Sequence, residues 1–350
     1  MTSSLEAMLA LIEADVPERL ISPHTFAALR SICRLLPVYF SSGIGFESRL
    51  AKKSAEVDLI LRVPVPRGLE ILRGNDRSCR LPDFFFEDGS WQRLRALALG
   101  WETKPKEWRE AVLDVWIEFD ADRFANPVPS PGLLLFQIDK SDSSREDWHQ
   151  ILRAAYAIVR NRPVHSELAK ALETCLERLP HHAHVLYAGM GMSRPTDAVR
   201  LVLGGLSLSE ILGYLGSTGW AGDLRDLEVL LLDVGRSIDQ FYLNIDILAS
   251  VCPKIGIECH FGREEDSLAA RYWRDFLDFV TGKGWCLPEK SAGLLQWPGR
   301  NLFQAGIDSW PWTVERFLNH MKLTYDPASG VEAKAYFGLV WGRARESLAE

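Results

Sequence analysis

The chain has 350 residues, enough to bury a large core without disulfides or a structural metal. Hydrophobic residues make up 47% and charged residues 25%, which excludes a disordered chain, a collagen-like chain and a coiled coil. Forty Lys+Arg against 47 Asp+Glu leave a net charge of −7, so composition gives no reason to expect nucleic-acid binding. No apolar run reaches the roughly 18 residues of a membrane span. Residues 1–17 are acidic and amphipathic, without the basic region of a signal peptide. The six cysteines form no C-x-x-C pair and are expected to be reduced, in a cytoplasmic protein.

In chain order, residues 1–40 carry two helical patterns. Leu5, Met8, Leu9 and Ile12 form the first; Phe26, Leu29, Ile32, Cys33 and Leu36 form the second. The period then changes to two. Segment 57–63 alternates and is expected to pair, through the turn at 64–68, with a short strand at 69–73. Four more strand pairs are expected: 113–120 with 133–139, 184–192 with 198–206, 241–248 with 254–261, and 320–325 with 333–341. Helical patterns separate them at 147–161, 166–179, 209–215, 224–234, 269–281 and 288–297. The tail 342–350 reads as a short helix or a frayed end. Element order repeats, but residues do not. No linker or shift in composition divides the chain, so 1–350 is expected to be a single domain with helices 1–40 packed on it.

The alternation has a consequence. Leu243, Ile245 and Ile247 oppose Tyr242, Asn244 and Asp246; Ile255, Ile257 and Cys259 oppose Lys254, Gly256, Glu258 and His260. Each strand pair has one apolar and one polar face. Amphipathic helices would cover the apolar face. An open sheet of ten strands would leave two raw edges, which closure removes. The expected fold class is α+β: a ten-stranded antiparallel β-barrel of repeated α-β-β-α units, helices outside. Its polar lumen holds more room than side chains alone fill.

That order of elements, together with His320-Met-Lys-Leu-Thr-Tyr325 and Ala333-Lys-Ala-Tyr-Phe-Gly338, resembles the aromatic prenyltransferases of the ABBA, or PT-barrel, type. The second stretch is similar to the Lys-x-Tyr strands that hold the prenyl diphosphate in that family. The Arg200 strand carries Val202 where the motif has its second cation. The resemblance implies transfer of a prenyl group from an allylic diphosphate to an aromatic or peptide acceptor, as in secondary metabolism or peptide modification. Prenyl diphosphate would be a co-substrate with no cofactor required, and no motif implies magnesium. It implies an aromatic small molecule or a peptide as partner, no nucleic acid, no membrane, and a monomer.

Loss of an allylic diphosphate calls for cations around the leaving group. Arg62, Arg200, Lys254, Lys322 and Lys334 are the candidates, expected to converge at one end of the lumen. Tyr242, Tyr336 and Trp116 are candidates for sheltering the carbocation. Glu118 is the first candidate to accept the acceptor's proton or orient it, with Asp246 and Glu258 behind it. The alternative for each charge is pairing with another across a wet lumen. A barrel that has lost transfer chemistry, and binds a peptide or hydrophobic small molecule as an accessory protein, is the rival reading.

Other signals are weaker. His181, His182 and His184 have a metal-compatible spacing, but no Cys or carboxylate nearby completes a set, and no metal is expected. Phosphate-loop and Gly-x-Ser-x-Gly motifs are absent. Asp223-x-x-Asp226 is a poor match to an Asp-rich magnesium motif. Trp285, Trp297, Trp310 and Trp312 suggest either packing of a surface segment or a rim that grips substrate.

Overall fold

The computed structural model describes residues 4–76, 79–138, 145–235, 238, 240–261, 267–303 and 312–343. Its strands are β1 (Gly43–Arg49), β2 (Val57–Pro64), β3 (Val112–Phe119), β4 (Leu133–Ile138), β5 (His184–Gly191), β6 (Val199–Gly204), β7 (Gln240–Ile247), β8 (Val251–His260), β9 (Gly299–Phe303), β10 (Trp312–Asp326) and β11 (Gly330–Arg343). Every pairing is antiparallel. Each strand from β1 to β8 pairs with the next, β8 pairs with β10, and β11 pairs with both β10 and β1. Ten strands therefore close into a barrel, as the alternation implied. β9 is an extra strand on the N-terminal half of β10, whose C-terminal half pairs with β8.

Helices cover the apolar outer face. The outward side chains Leu59, Leu61, Ile117, Leu201, Leu243, Ile245, Ile257 and Leu323 are all buried in one core with the helices. Trp297 packs edge-on to Phe46 and Phe337, and its indole N–H donates to Gly338 O at 3.0 Å. That tryptophan belongs to the core, not to a substrate rim; Trp310 lies outside the described residues. The N-terminal helices are tied to the barrel where Arg316 Nη1 donates to Asp15 O at 3.0 Å and Ser22 N donates to Ala55 O at 2.9 Å. Asp223, a poor match to a magnesium motif in sequence, caps the helix Leu224–Val234 by accepting from the N–H groups of Arg225 and Asp226. No helix among the described residues is long and apolar enough to cross a membrane.

Two expectations at the N-terminal side are corrected. Residues 69–73 are not a strand but lie in the helix Arg67–Arg73, which ends at Gly74 with φ +79°. A five-residue apolar run carries too little period to separate the two states. The partner of β2 is instead β1, which reads as a loop because Gly43 and Gly45 interrupt it. The helix Gly89–Glu102 also went unread; it places Trp91 and Trp101 over Phe119 and Phe136.

One buried charge gives a pH-dependent prediction. Lys290, 1% exposed, lies under β1, donating to Arg49 O at 2.6 Å and Ser48 Oγ at 3.3 Å. Burial pulls its ammonium down from 10.5 to about 8. The unfolded chain thus binds the extra proton between pH 8 and 10.5, and this residue's contribution to stability rises with pH across that window. The stability advantage of Lys290→Met over wild type is expected to shrink by roughly 3 kcal/mol from pH 7.5 to 10.5 in denaturant unfolding. A difference that does not change with pH would refute the assignment.

Candidate active site in the barrel lumen

Period two aims alternate side chains into the lumen. β1 contributes Gly43, Gly45, Glu47 and Arg49; β2 Ile60 and Arg62; β3 Trp116 and Glu118; β8 Lys254, Gly256, Glu258 and His260; β11 Lys334, Tyr336 and Gly338. On β10 a bulge between Leu318 and His320 resets the alternation. Leu318 stays in the outer core while His320, Lys322 and Thr324 line the lumen. The inward glycines are spatial devices. A Cβ at Gly256 would lie 2.4 Å from Lys322 Cε, and one at Gly338 would lie 2.4 Å from Ile44 O.

The lumen forms two adjoining chambers of about 300 and 520 Å³ that share Glu118, Arg200, Asn244, Lys322 and Tyr336 as lining residues. The smaller is charged, with Arg49, Arg194, Arg200, Lys254, Lys322 and Lys334 facing Glu47, Glu118, Asp120 and Asp246. The larger is mainly apolar and aromatic, with Trp116, Leu133, Leu135, Tyr187, Phe317 and Tyr336, together with Arg62, Glu258, His260 and His320. Six cations and four carboxylates line the small chamber, and Asp58 and Glu258 behind its wall add two more carboxylates within reach of Arg49 and Lys322.

Most of these charges are paired. Arg200 Nε and Nη2 grip Asp246 at 2.8 and 2.9 Å. Lys334 Nζ donates to Glu47 Oε1 at 2.6 Å, and the Tyr336 hydroxyl donates to the same carboxylate. Arg194 Nη2 bridges Glu118 at 2.8 Å and Asp120 at 2.5 Å. Arg49 reaches Asp58 at 3.1 Å and Glu47 at 3.8 Å. Lys322 Nζ donates to Asn244 Oδ1 at 2.5 Å and stands 3.9 Å from Glu258. Lys254 is exposed at the rim and has no carboxylate partner among the described residues.

These contacts set the ionisation. Burial pushes the Glu47 carboxyl up, but the Lys334 ammonium and the Tyr336 hydroxyl outweigh it and hold it well below the usual range. Burial also opposes ionisation of Asp246, and Arg200 overcomes it. Burial, with the neighbouring Glu47 charge, raises Asp58 to about 6. Burial, reinforced by Arg200, pulls Lys322 down to about 8 despite the counter-charge of Glu258.

Against the sequence expectations, Arg200, Lys254, Lys322 and Lys334 share the charged chamber with Tyr336, Asp246 and Glu118. Arg62 does not join them. It lines the aromatic chamber, where Asp114 accepts from it at 2.6 and 2.9 Å and the Trp116 ring lies 5.8 Å away. Tyr242 lines neither chamber and packs on His260, ring centroids 4.3 Å apart. Four further members escaped the sequence reading: Glu47 and Arg49 on the unread β1, Arg194 in a turn, and Asp120 at the end of β3. His181 and His182 are exposed, and His182 pairs with Glu210 at 3.0 Å.

No family model and no curated protein matches this chain. Solved structures do. AnaPT from Neosartorya fischeri superposes with TM-score 0.52 at 14% identity, covering 99% of this chain and 94% of its own. Prenyltransferase PriB, in ternary complex with L-tryptophan and dimethylallyl thiolodiphosphate, gives TM-score 0.51 at 10% identity, covering 99% and 100%. NotF, in complex with brevianamide F and the same donor analogue, gives 0.54 at 11%, covering 95% and 92%. The chain has the PT-barrel fold of the aromatic prenyltransferases, the fold that its order of elements resembles.

Proposed function

We propose that this protein transfers a prenyl group from an allylic diphosphate to an aromatic acceptor inside the barrel. One observation carries the reading: a chamber lined by six cations, Arg200, Lys322 and Lys334 among them, adjoins an aromatic one. PriB and NotF hold a dimethylallyl thiolodiphosphate together with tryptophan or brevianamide F in the same fold. In this chain the diphosphate would lie among Arg200, Lys322 and Lys334, with Arg49, Arg194 and Lys254 around it. The C–O bond breaks and the diphosphate leaves with the electron pair, stabilised by those cations. Tyr336 and Trp116 shelter the allylic cation. The acceptor ring attacks it, and the ring proton passes to a lumen carboxylate, for which Glu118 at the junction of the chambers is the proposed group. Asp246 holds Arg200 in place, Glu258 and His260 shape the far wall, and Tyr242 supports His260.

A second reading is favoured by the pairing itself. Arg200, Lys334 and Arg194 each already hold a carboxylate, so a diphosphate has to compete with Asp246, Glu47 and Glu118. A barrel of this kind would bind a peptide or hydrophobic small molecule without transferring anything. Dimethylallyl thiolodiphosphate separates the two readings. At 100 times its dissociation constant a ligand stabilises the folded state by roughly 2.7 kcal/mol. The prenyl-transfer reading predicts a matching rise in melting temperature; the accessory reading predicts none.

A further inference from the structure

We propose that Glu258, His260 and His320 form a binding site for a divalent transition-metal ion of the zinc class, in the wall of the aromatic chamber. Glu258 and His260 stand on one strand at alternate inward positions, and His320 faces them from the adjacent β10. One ligand atom from each lies within 4.8 Å of the other two. His260 Nε2 is 3.4 Å from one Glu258 oxygen, and His320 Nε2 is 3.8 Å from the other. Bonds of about 2.0–2.1 Å in a tetrahedral site space their ligands ~3.4 Å apart. The Glu258–His260 distance matches that spacing, and the Glu258–His320 distance exceeds it by about 0.4 Å. Two imidazoles and one carboxylate are a donor set that zinc, cobalt and ferrous iron accept.

Independent observations support the assignment. His320 is only 9% exposed, yet neither of its ring nitrogens has a hydrogen-bond partner. Two unmet buried polar atoms on one ring are uncommon and call for an explanation. The Tyr336 and His260 rings pack against it, with centroids 4.2 and 4.8 Å away. The β10 bulge is what aims it inward. Lys322 is the competitor for Glu258, but at 3.9 Å it already donates to Asn244 instead. Three protein ligands leave coordination positions open to the chamber, where an oxygen of a bound molecule would complete the shell. The site does not depend on prenyl transfer; it stands or falls on its own donors.

The test is a titration of chelator-treated protein with Co²⁺, read by visible absorption, and with Zn²⁺ in competition. One equivalent per chain, with the intense visible bands of four- or five-coordinate cobalt, is expected. His320→Gln and Glu258→Gln should each weaken binding at least tenfold while circular dichroism and the melting curve stay near wild type. The double variant His181→Ala/His182→Ala should bind as wild type does. Failure of the wild-type protein to bind one equivalent would overturn the proposal, whatever the variants do. So would binding that survives His320→Gln or is lost with His181 and His182.

Discussion

Glu118→Gln is expected to lower turnover with an aromatic acceptor about 10²-fold, the low end for loss of a general base. The amide preserves the size of the side chain and still accepts from Arg194, and Asp120 continues to balance that guanidinium at 2.5 Å. Stability should therefore change little. Glu118 borders both chambers, so its effect should fall on the acceptor step and leave affinity for dimethylallyl thiolodiphosphate intact. Steady-state kinetics with donor binding measured in parallel checks this. Unchanged turnover, or an equal loss of donor affinity, would show that Glu118 only holds Arg194 in position.

Lys334→Ala is expected to act on stability and on donor binding together. Glu47 is 4% exposed and relies on Lys334 at 2.6 Å. Removing one partner of a buried pair costs about 3–5 kcal/mol. The lower end is expected here, because Arg49 and the Tyr336 hydroxyl still reach Glu47. Loss of one charge-assisted contact should also weaken thiolodiphosphate binding by ~10-fold or more. Adding Glu47→Gln removes the stranded charge, so the double variant should recover most of the stability and none of the donor affinity. The exposed Lys53→Ala should change neither. Denaturant unfolding and calorimetric binding measure the two effects separately. Recovery of both in the double variant would mean that Lys334 serves the fold alone.

The barrel was readable because period-two alternation recurs with one apolar and one polar face, and closure is the physical remedy for exposed edges. What stayed hidden did so for local reasons. Gly43 and Gly45 break the pattern of β1, although β2 and β11 pack closely on them: a Cβ at Gly43 would lie 3.2 Å from Val340 Cγ1 and one at Gly45 3.3 Å from Ile60 Cβ. Residues 69–73 are too short a run to declare a period.

In the site, the inward cations on β6, β8, β10 and β11 followed from alternation. Their ion pairs did not, because a pair such as Arg200–Asp246 or Lys334–Glu47 depends on strand register. Arg194 comes from a turn, where alternation says nothing. The cluster of Glu258, His260 and His320 needs both the β8–β10 register and a one-residue bulge, and neither leaves a mark on the hydrophobic pattern.

In the proposed reaction the charged chamber receives a prenyl diphosphate with its chain directed into the aromatic one. A crystal structure of the protein with dimethylallyl thiolodiphosphate tests it most directly. Diphosphate oxygens are expected within hydrogen-bond distance of Arg200, Lys322 and Lys334, and the dimethylallyl group against Tyr336 and Trp116. The contacts of Lys334 with Glu47 and of Arg200 with Asp246 should loosen as the ligand takes their donors. Both pairs intact, with the analogue absent from the lumen at saturating concentration, would contradict it.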